Sequence, residues 1–183
     1  AELDILRESG TWVTHQPRSN MNNAVGAAAF DTMIHSGIKL CLGNDGFSNA
    51  MWQEWKAAYF LHKVTSRDPR AANGDDVVLA ACDHNARLAE TYFPGQTFGK
   101  LEIGAVADML VVDYHPFTPL TGGNLPWHVL FGFEPSMVTA TIVGGQVLMW
   151  DRQLRTLDEA AIAAEALAHA PAVWGRYREY AAS

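Results

Sequence analysis

The chain has 183 residues, room for one domain or for one domain and part of another. Hydrophobic residues make up 49% of it and charged residues only 18%, which is ample material for a core. A net charge of -7, with thirteen scattered Lys and Arg, argues against a nucleic-acid partner. No stretch approaches the roughly twenty apolar residues of a membrane span, and the N-terminus lacks the basic-then-apolar order of a signal peptide. The expected location is therefore the cytoplasm. Cys41 and Cys82 lie far apart within apolar segments and are expected to be buried reduced thiols rather than a disulfide pair.

Residues 1–9 (AELDILRES) favour a helix, with Gly10 as its stop. No initiator Met and no capping residue stand ahead of Ala1, which suggests a piece of something longer. Thr11-Trp12-Val13-Thr14-His15 is β-branched and aromatic, a strand candidate, and Gln16-Pro17-Arg18-Ser19-Asn20 breaks it as a loop. From Asn22 to Ser36, Val25, Ala28, Ala29 and Met33 recur at helical spacing, widened by Phe30 and Ile34. After Gly37, Ile38–Leu42 reads as a short buried strand, followed by the loop Gly43-Asn44-Asp45-Gly46. Met51, Trp52, Trp55, Ala58, Tyr59 and His62 then mark an amphipathic helix. Helices alternating with short strands indicate βα units around a parallel sheet.

Ser66 to Gly74 is a polar loop, and Asp75 to Tyr92 one or two helices with a break near Asp83-His84-Asn85. The texture then becomes β-rich, from Phe98–Ala105 into Ala107–Tyr114. Pro116 to Gly123 is loop, and Trp127 to Phe133 a short helix. Val138–Val143 and Gln146–Trp150 flank Gly144-Gly145, a hairpin signature. Thr156-Leu157-Asp158-Glu159 fits a capping box for a final helix through Ala168, interrupted at Pro171 and resumed to Tyr180.

Asn44-Asp45-Gly46 taken alone is a tight turn, because these residues tolerate left-handed backbone angles. At the end of a strand, however, its carboxylate stands where α/β folds place chemistry. The bland reading of His15 is a strand-end histidine bonded to backbone, and that of Trp52 and Trp55 is core packing. His35, His62, His84 and His115 have similarly plain readings in helices and loops.

His15-Gln16-Pro17-Arg18-Ser19-Asn20, Leu42-Gly43-Asn44-Asp45-Gly46 and Ser48-Asn49 together resemble the last barrel strands of the metal-dependent amidohydrolase superfamily. The likeness is to its cytosolic aminohydrolase, deaminase and chlorohydrolase branch, and within that to the SsnA-type aminohydrolases. Gly99–Asp113 resembles the strand re-entering that family's small β-sandwich, and Val138–Trp150 its closing hairpin. The resemblance implies an α/β chain: the C-terminal βα units of a TIM-type (β/α)8 barrel plus part of a small β-sandwich domain. The corresponding division is 1–97 barrel, 98–155 sandwich and 156–183 a C-terminal helical segment.

The resemblance also implies that Asp45 is the carboxylate ending the eighth barrel strand, ligating a divalent metal and accepting a proton from metal-bound water. Zinc is the first expectation and iron the alternative; bound zinc brings the pKa of water from about 16 to about 7. Hydroxide would then displace an amino or chloro group from a heterocyclic ring. His15, Asn20, Ser48, Asn49 and Trp52 are the substrate-binding candidates, with Ser19 in the same loop. One departure limits this. The family's His-x-His pair is absent, and a catalytic zinc takes about three protein ligands where this chain offers one carboxylate. A barrel needs eight strands and about 250 residues. The expectation is therefore a C-terminal portion that binds no metal alone and is inactive alone, belonging to a parent enzyme with a small heterocyclic substrate. Its partners would be no nucleic acid and no membrane, with a homo-oligomer or association through an exposed barrel edge expected. The alternative is a non-catalytic binding or assembly module derived from the same fold.

Overall fold

A computed structural model of the chain describes residues 1–182. It opens with helix α1 (Glu2–Ser9), ended by Gly10 at a left-handed φ of 64°, and strand β1 (Trp12–His15). Helices α2 (Pro17–Asn22) and α3 (Phe30–His35) lead to strand β2 (Lys39–Leu42) and the long helix α4 (Met51–Ser66). β1 and β2 pair in parallel, Trp12 opposite Lys39 through His15 opposite Leu42. The helical passage between them is the crossover that parallel pairing requires.

Two expectations are corrected in this crossover. The segment after Gln16 is a short helix rather than a loop. Pro17 stands at its start, where a missing N–H costs nothing. The single helix expected over 22–36 is instead α2, an irregular stretch and α3. Ala24 and Gly26 take φ of 52° and 93°, and Val25 is largely exposed, so the apolar period there has nothing to bury against. The buried part of the period, Phe30 and Ile34, is the part that is helical.

Side chains alternate across the two strands. Val13 and His15 of β1, and Leu40 and Leu42 of β2, face the helices. Phe30, Ile34, Leu40, Leu42, Trp55, Ala58, Val77 and Ala80 close one core, where each large side chain contributes roughly 1.5–3 kcal/mol by leaving water. Cys41, on the opposite face, is buried, and burial pushes its thiol up to about 11, so it stays protonated. Cys82 is exposed, contrary to the expectation of two buried thiols. Its helical turn places it outside that core.

Beyond α4 the chain runs through α5 (Gly74–Val78), a π-helical turn (Leu79–His84) and α6 (Asn85–Tyr92) without a break near Asp83, the first of the two expected alternatives. Asn73 caps α5, its side-chain oxygen accepting from the Asp75 and Asp76 amides at 2.9 and 3.1 Å. The π turn is used to reach the sheet. His84 Nδ1 donates to the Leu40 carbonyl at 2.8 Å. The Asn85 amide both receives from Leu42 N–H (3.1 Å) and donates to Leu42 C=O (2.9 Å). Side chains thus satisfy the edge of β2 that β1 does not occupy.

A four-stranded antiparallel sheet follows, ordered β3 (Met109–Val112), β4 (Val138–Val143), β5 (Gln146–Trp150) and β6 (Gln153–Leu154). Gly144 and Gly145 have φ of 55° and 81°, as a type I′ hairpin turn demands, so this part matches the expected hairpin. The β-rich reading of Phe98–Tyr114 narrows to Met109–Val112, the residues that find a partner in β4. Helix α7 (Leu125–Gly132) packs Val129 and Leu130 into the same core as α4 and α5. Lys56 of α4 reinforces that junction, donating to Phe133 C=O at 2.8 Å and pairing with Glu134 at 2.6 Å.

Helix α8 (Glu159–Ala181) is continuous through Pro171, not interrupted there. Proline removes one backbone bond, and the alanine-rich flanks retain the rest. Its cap is Asp158, whose carboxylate accepts from Ala161 N–H at 2.9 Å, rather than the expected Thr156. Among the described residues, no helix is long and apolar enough to cross a membrane.

Candidate functional site

The loops that leave β1 and β2 meet at the carboxyl ends of these two strands. Gly43 N–H still bonds to His15 C=O at 2.9 Å, extending the ladder by one rung before the chain turns. Asn44 then shapes the turn, its side-chain amide donating to Phe47 C=O at 2.8 Å and to Asn49 Oδ1 at 2.7 Å. Asp45 follows with φ of 50°, so this stretch is both a tight turn and a presented carboxylate. Ser19, on α2, donates its hydroxyl to Asp45 Oδ2 at 2.6 Å, and Asn23 Nδ2 donates to Ser19 Oγ at 3.3 Å. The carboxylate is thereby oriented from the short helix that follows the neighbouring strand.

Arg18, next to Ser19, ties the same two loops to α4. Its Nε donates to Glu54 Oε1 at 2.6 Å, and its backbone N–H to Glu54 Oε2 at 3.2 Å. One terminal nitrogen reaches Gln53 Oε1 at 2.7 Å and Ser48 Oγ at 3.3 Å, and the other reaches Ser48 C=O at 2.7 Å. The guanidinium also lies 5.1 Å from the centre of the Phe47 ring. Glu54 is wholly buried, and a buried carboxylate demands such a partner.

The other candidates point elsewhere. His15 is buried, its Nε2 lying 2.9 Å from Nε2 of His62 on α4, with Phe30 stacked on His62 at 4.9 Å. At that separation one nitrogen carries the hydrogen and the other accepts it, so at least one of the two rings is neutral. Trp52 packs edge-on against Phe133 at 5.0 Å. Asn20 donates to Gly26 C=O at 3.4 Å, while Ser48 and Asn49 lie in the Asp45 loop itself. Asp45 and Ser19 are therefore brought into contact, Ser48 and Asn49 accompany them, and the His15 and Trp52 rings turn toward the core.

Burial lowers the pKa of His15 to about 4, with a further push from His62; burial also lowers His62, partly offset by Asp31. The unfolded chain takes up these protons below about 6.5, whereas folded His15 refuses its proton until about 4. Stability is thus complete above the unfolded value and falls as pH drops through this window. His15 alone accounts for about 3 kcal/mol across it. Urea midpoints measured from pH 7.5 to 4.5 should fall more steeply for the native chain than for His15→Gln. Parallel slopes would show that the pair does not titrate this way.

The residues present do not make a metal centre. Among the described residues, no group of three or more His, Cys, Asp or Glu side chains converges as metal ligands would. A cavity of about 830 Å³ opens instead between Asp113–Thr118 and α7, lined by Tyr114, Trp127 and His128 among others. It shares no residue with the Asp45 loop.

A family model for the amidohydrolase family matches residues 1–148, and the chain belongs to that family. Among curated relatives, a 5-methylthioadenosine/S-adenosylhomocysteine deaminase of Dictyoglomus thermophilum is 33% identical over 169 residues. That alignment covers 90% of this chain and 39% of the relative. A 5′-deoxyadenosine deaminase of Methanosarcina mazei is 33% identical over 171 residues, with 90% and 38% covered. Among solved structures, a zinc-bound adenosine deaminase of Xanthomonas campestris superposes with a TM-score of 0.80 at 22% identity. It covers 95% of this chain and 40% of the other. A zinc complex of atrazine chlorohydrolase from Arthrobacter aurescens gives 0.75 at 17% identity, with 91% and 37% covered. These structures establish an amidohydrolase-type fold. The chain spans about two fifths of the length of the curated relatives it matches.

Three site residues escape a reading of the sequence: Arg18, Glu54 and His62 as the partner of His15. Glu54 had a signal. It shares the four-residue rhythm of Ala58 and His62 on the buried face of α4, and a carboxylate there requires a cation. Nothing in the spacing names Arg18 as that cation.

Proposed function

We propose that this chain is the C-terminal portion of a metal-dependent aminohydrolase. Residues 1–97 would supply the last two βα units of its (β/α)8 barrel, 98–155 part of its small β-sandwich, and 156–183 a C-terminal helical segment. The observation that carries this reading is Asp45 at the carboxyl end of the second parallel strand, oriented by Ser19 from the short helix after the first. Barrels of this kind build their active sites on that rim.

The proposed reaction is hydrolytic loss of a ring amino group from a purine nucleoside, the substrate class named for the deaminase relatives. Asp45 is the proton acceptor and the chain's contribution to the metal set, with zinc preferred over iron. Ser19 holds its carboxylate. Ser48 and Asn49 form the adjacent rim, and the ends of β1, α2 and α4 that bear His15, Asn20 and Trp52 border it. One carboxylate does not hold a catalytic metal, so the remaining ligands come from the rest of the parent. This chain alone should be metal-free and inactive. A cytoplasmic protein associating through the outer edge of β1 completes the proposal, since the corresponding edge of β2 is occupied by Asn85.

The test compares this chain with the longer parent polypeptide, both purified without chelator. Ammonia release from 5′-methylthioadenosine and 5′-deoxyadenosine should require the parent, as should about one metal per chain by elemental analysis. A parent without metal and without activity on purine nucleosides would leave the binding-module alternative standing.

A further inference from the structure

We infer that Arg18 is a positioning residue for the Asp45 loop, locked in place by the buried carboxylate of Glu54. This rests on the reading of Asp45 as the reacting carboxylate.

The loop has little else to fix its tip. Beyond the Gly43 N–H bond to His15 C=O at its base, its bonds are the Asn44 contacts to Phe47 and Asn49, the Phe47 N–H to Asn44 C=O at 3.0 Å and the Met51 N–H to Asn49 C=O at 2.9 Å, all of these last local. Such contacts define the turn's shape without fixing where the turn sits relative to β1. Ser19 reaches Asp45 Oδ2, but a hydroxyl is a single contact that a shifted loop could leave. Arg18 supplies the missing coordinate. Its planar fork spans Ser48 C=O, Ser48 Oγ and Gln53 Oε1, while its Nε and backbone N–H are held by the two oxygens of Glu54. The pair is shielded, with Glu54 wholly buried and the Arg18 side chain only 14% exposed. Charge-assisted bonds in such a setting are strong and directional.

The adjacency of Arg18 and Ser19 gives the arrangement its logic. One residue fixes the loop backbone and the next fixes the carboxylate. A lysine at position 18 keeps a charge for Glu54 but lacks the fork, so it separates positioning from folding.

Amide hydrogen exchange by NMR on this chain tests the inference without needing catalysis. In Arg18→Lys, the Phe47 amide and its loop neighbours should exchange at least about tenfold faster, with the amides of the β4–β5 hairpin unchanged. Glu54→Gln, which keeps the acceptors and removes the charge, should accelerate the same amides to a smaller extent. Unchanged loop exchange in both variants overturns the inference. So does an equal loss of protection in loop and hairpin, because the pair would then hold the whole fold rather than the loop. In the parent enzyme Arg18→Lys should lower kcat about 10- to 100-fold, with KM within about threefold. A rise in KM with kcat unchanged would assign Arg18 to substrate affinity instead. If Asp45→Asn proves fully active, the catalytic reading fails, while the exchange result still decides whether Arg18 positions the loop.

Discussion

Asp45→Asn in the parent enzyme should lower kcat by at least about two orders of magnitude, the usual weight of a general acid–base group. The substitution is close to isosteric and removes the negative charge. Asn tolerates the φ of 50° that Asp45 adopts, so the turn itself is not strained by the change. Ser19 Oγ can donate to the amide oxygen as it does to Oδ2, and Asp45 lies outside the core. Folding should therefore be preserved, with the urea midpoint of the variant close to that of the parent. Steady-state ammonia release measured beside that midpoint separates lost chemistry from lost structure. Near-normal turnover would remove Asp45 from the mechanism.

Arg18→Ala should destabilise this chain by about 3–5 kcal/mol, because it strands an ionised carboxylate in the interior. The size of the effect follows from burial rather than from the ion pair as such. An exposed pair is worth about 1 kcal/mol or less, and exposed pairs such as Arg87 with Asp83 belong to that class. Glu54 has no access to water, so it must keep a partner. Arg18→Ala combined with Glu54→Leu should recover part of the loss, since no charge is then left buried and unpaired, while the space of the arginine side chain stays unfilled. Denaturant titration of the two single variants and the double variant closes the cycle. A single-variant loss under about 1 kcal/mol would mean that water reaches Glu54 after all. The contrast with Arg18→Lys is intended: a point charge rescues the buried carboxylate but not the loop.

Much of the scaffold is legible one element at a time. β1 and β2 announce themselves as short β-branched or apolar runs closed by Pro17 and Gly43. Gly144-Gly145 identifies its hairpin because few other residues accept two consecutive left-handed positions. Periodicity failed where a pattern had no surface to pack on. Val25 and the small residues after it keep helical spacing yet lie open to solvent, and the helix forms only from Phe30. Pro171 misled in the other direction, since one missing backbone bond does not end a helix with alanines on both sides.

The sequence by itself determined the family, the two parallel strands, the antiparallel hairpin and the carboxylate at the end of β2. The strands, the hairpin turn and the strand-end carboxylate depend on neighbouring residues, whose backbone preferences are local properties, and the family on the resemblance of its motifs. Only the tertiary structure decided which groups meet. Arg18 finds Glu54 across 36 positions, His15 finds His62 across 47, and Asn85 finds the edge of β2 across 43. Burial selects those partners, because a polar group removed from water must bond to whatever the packed chain brings beside it. No spacing rule written along the sequence specifies that encounter.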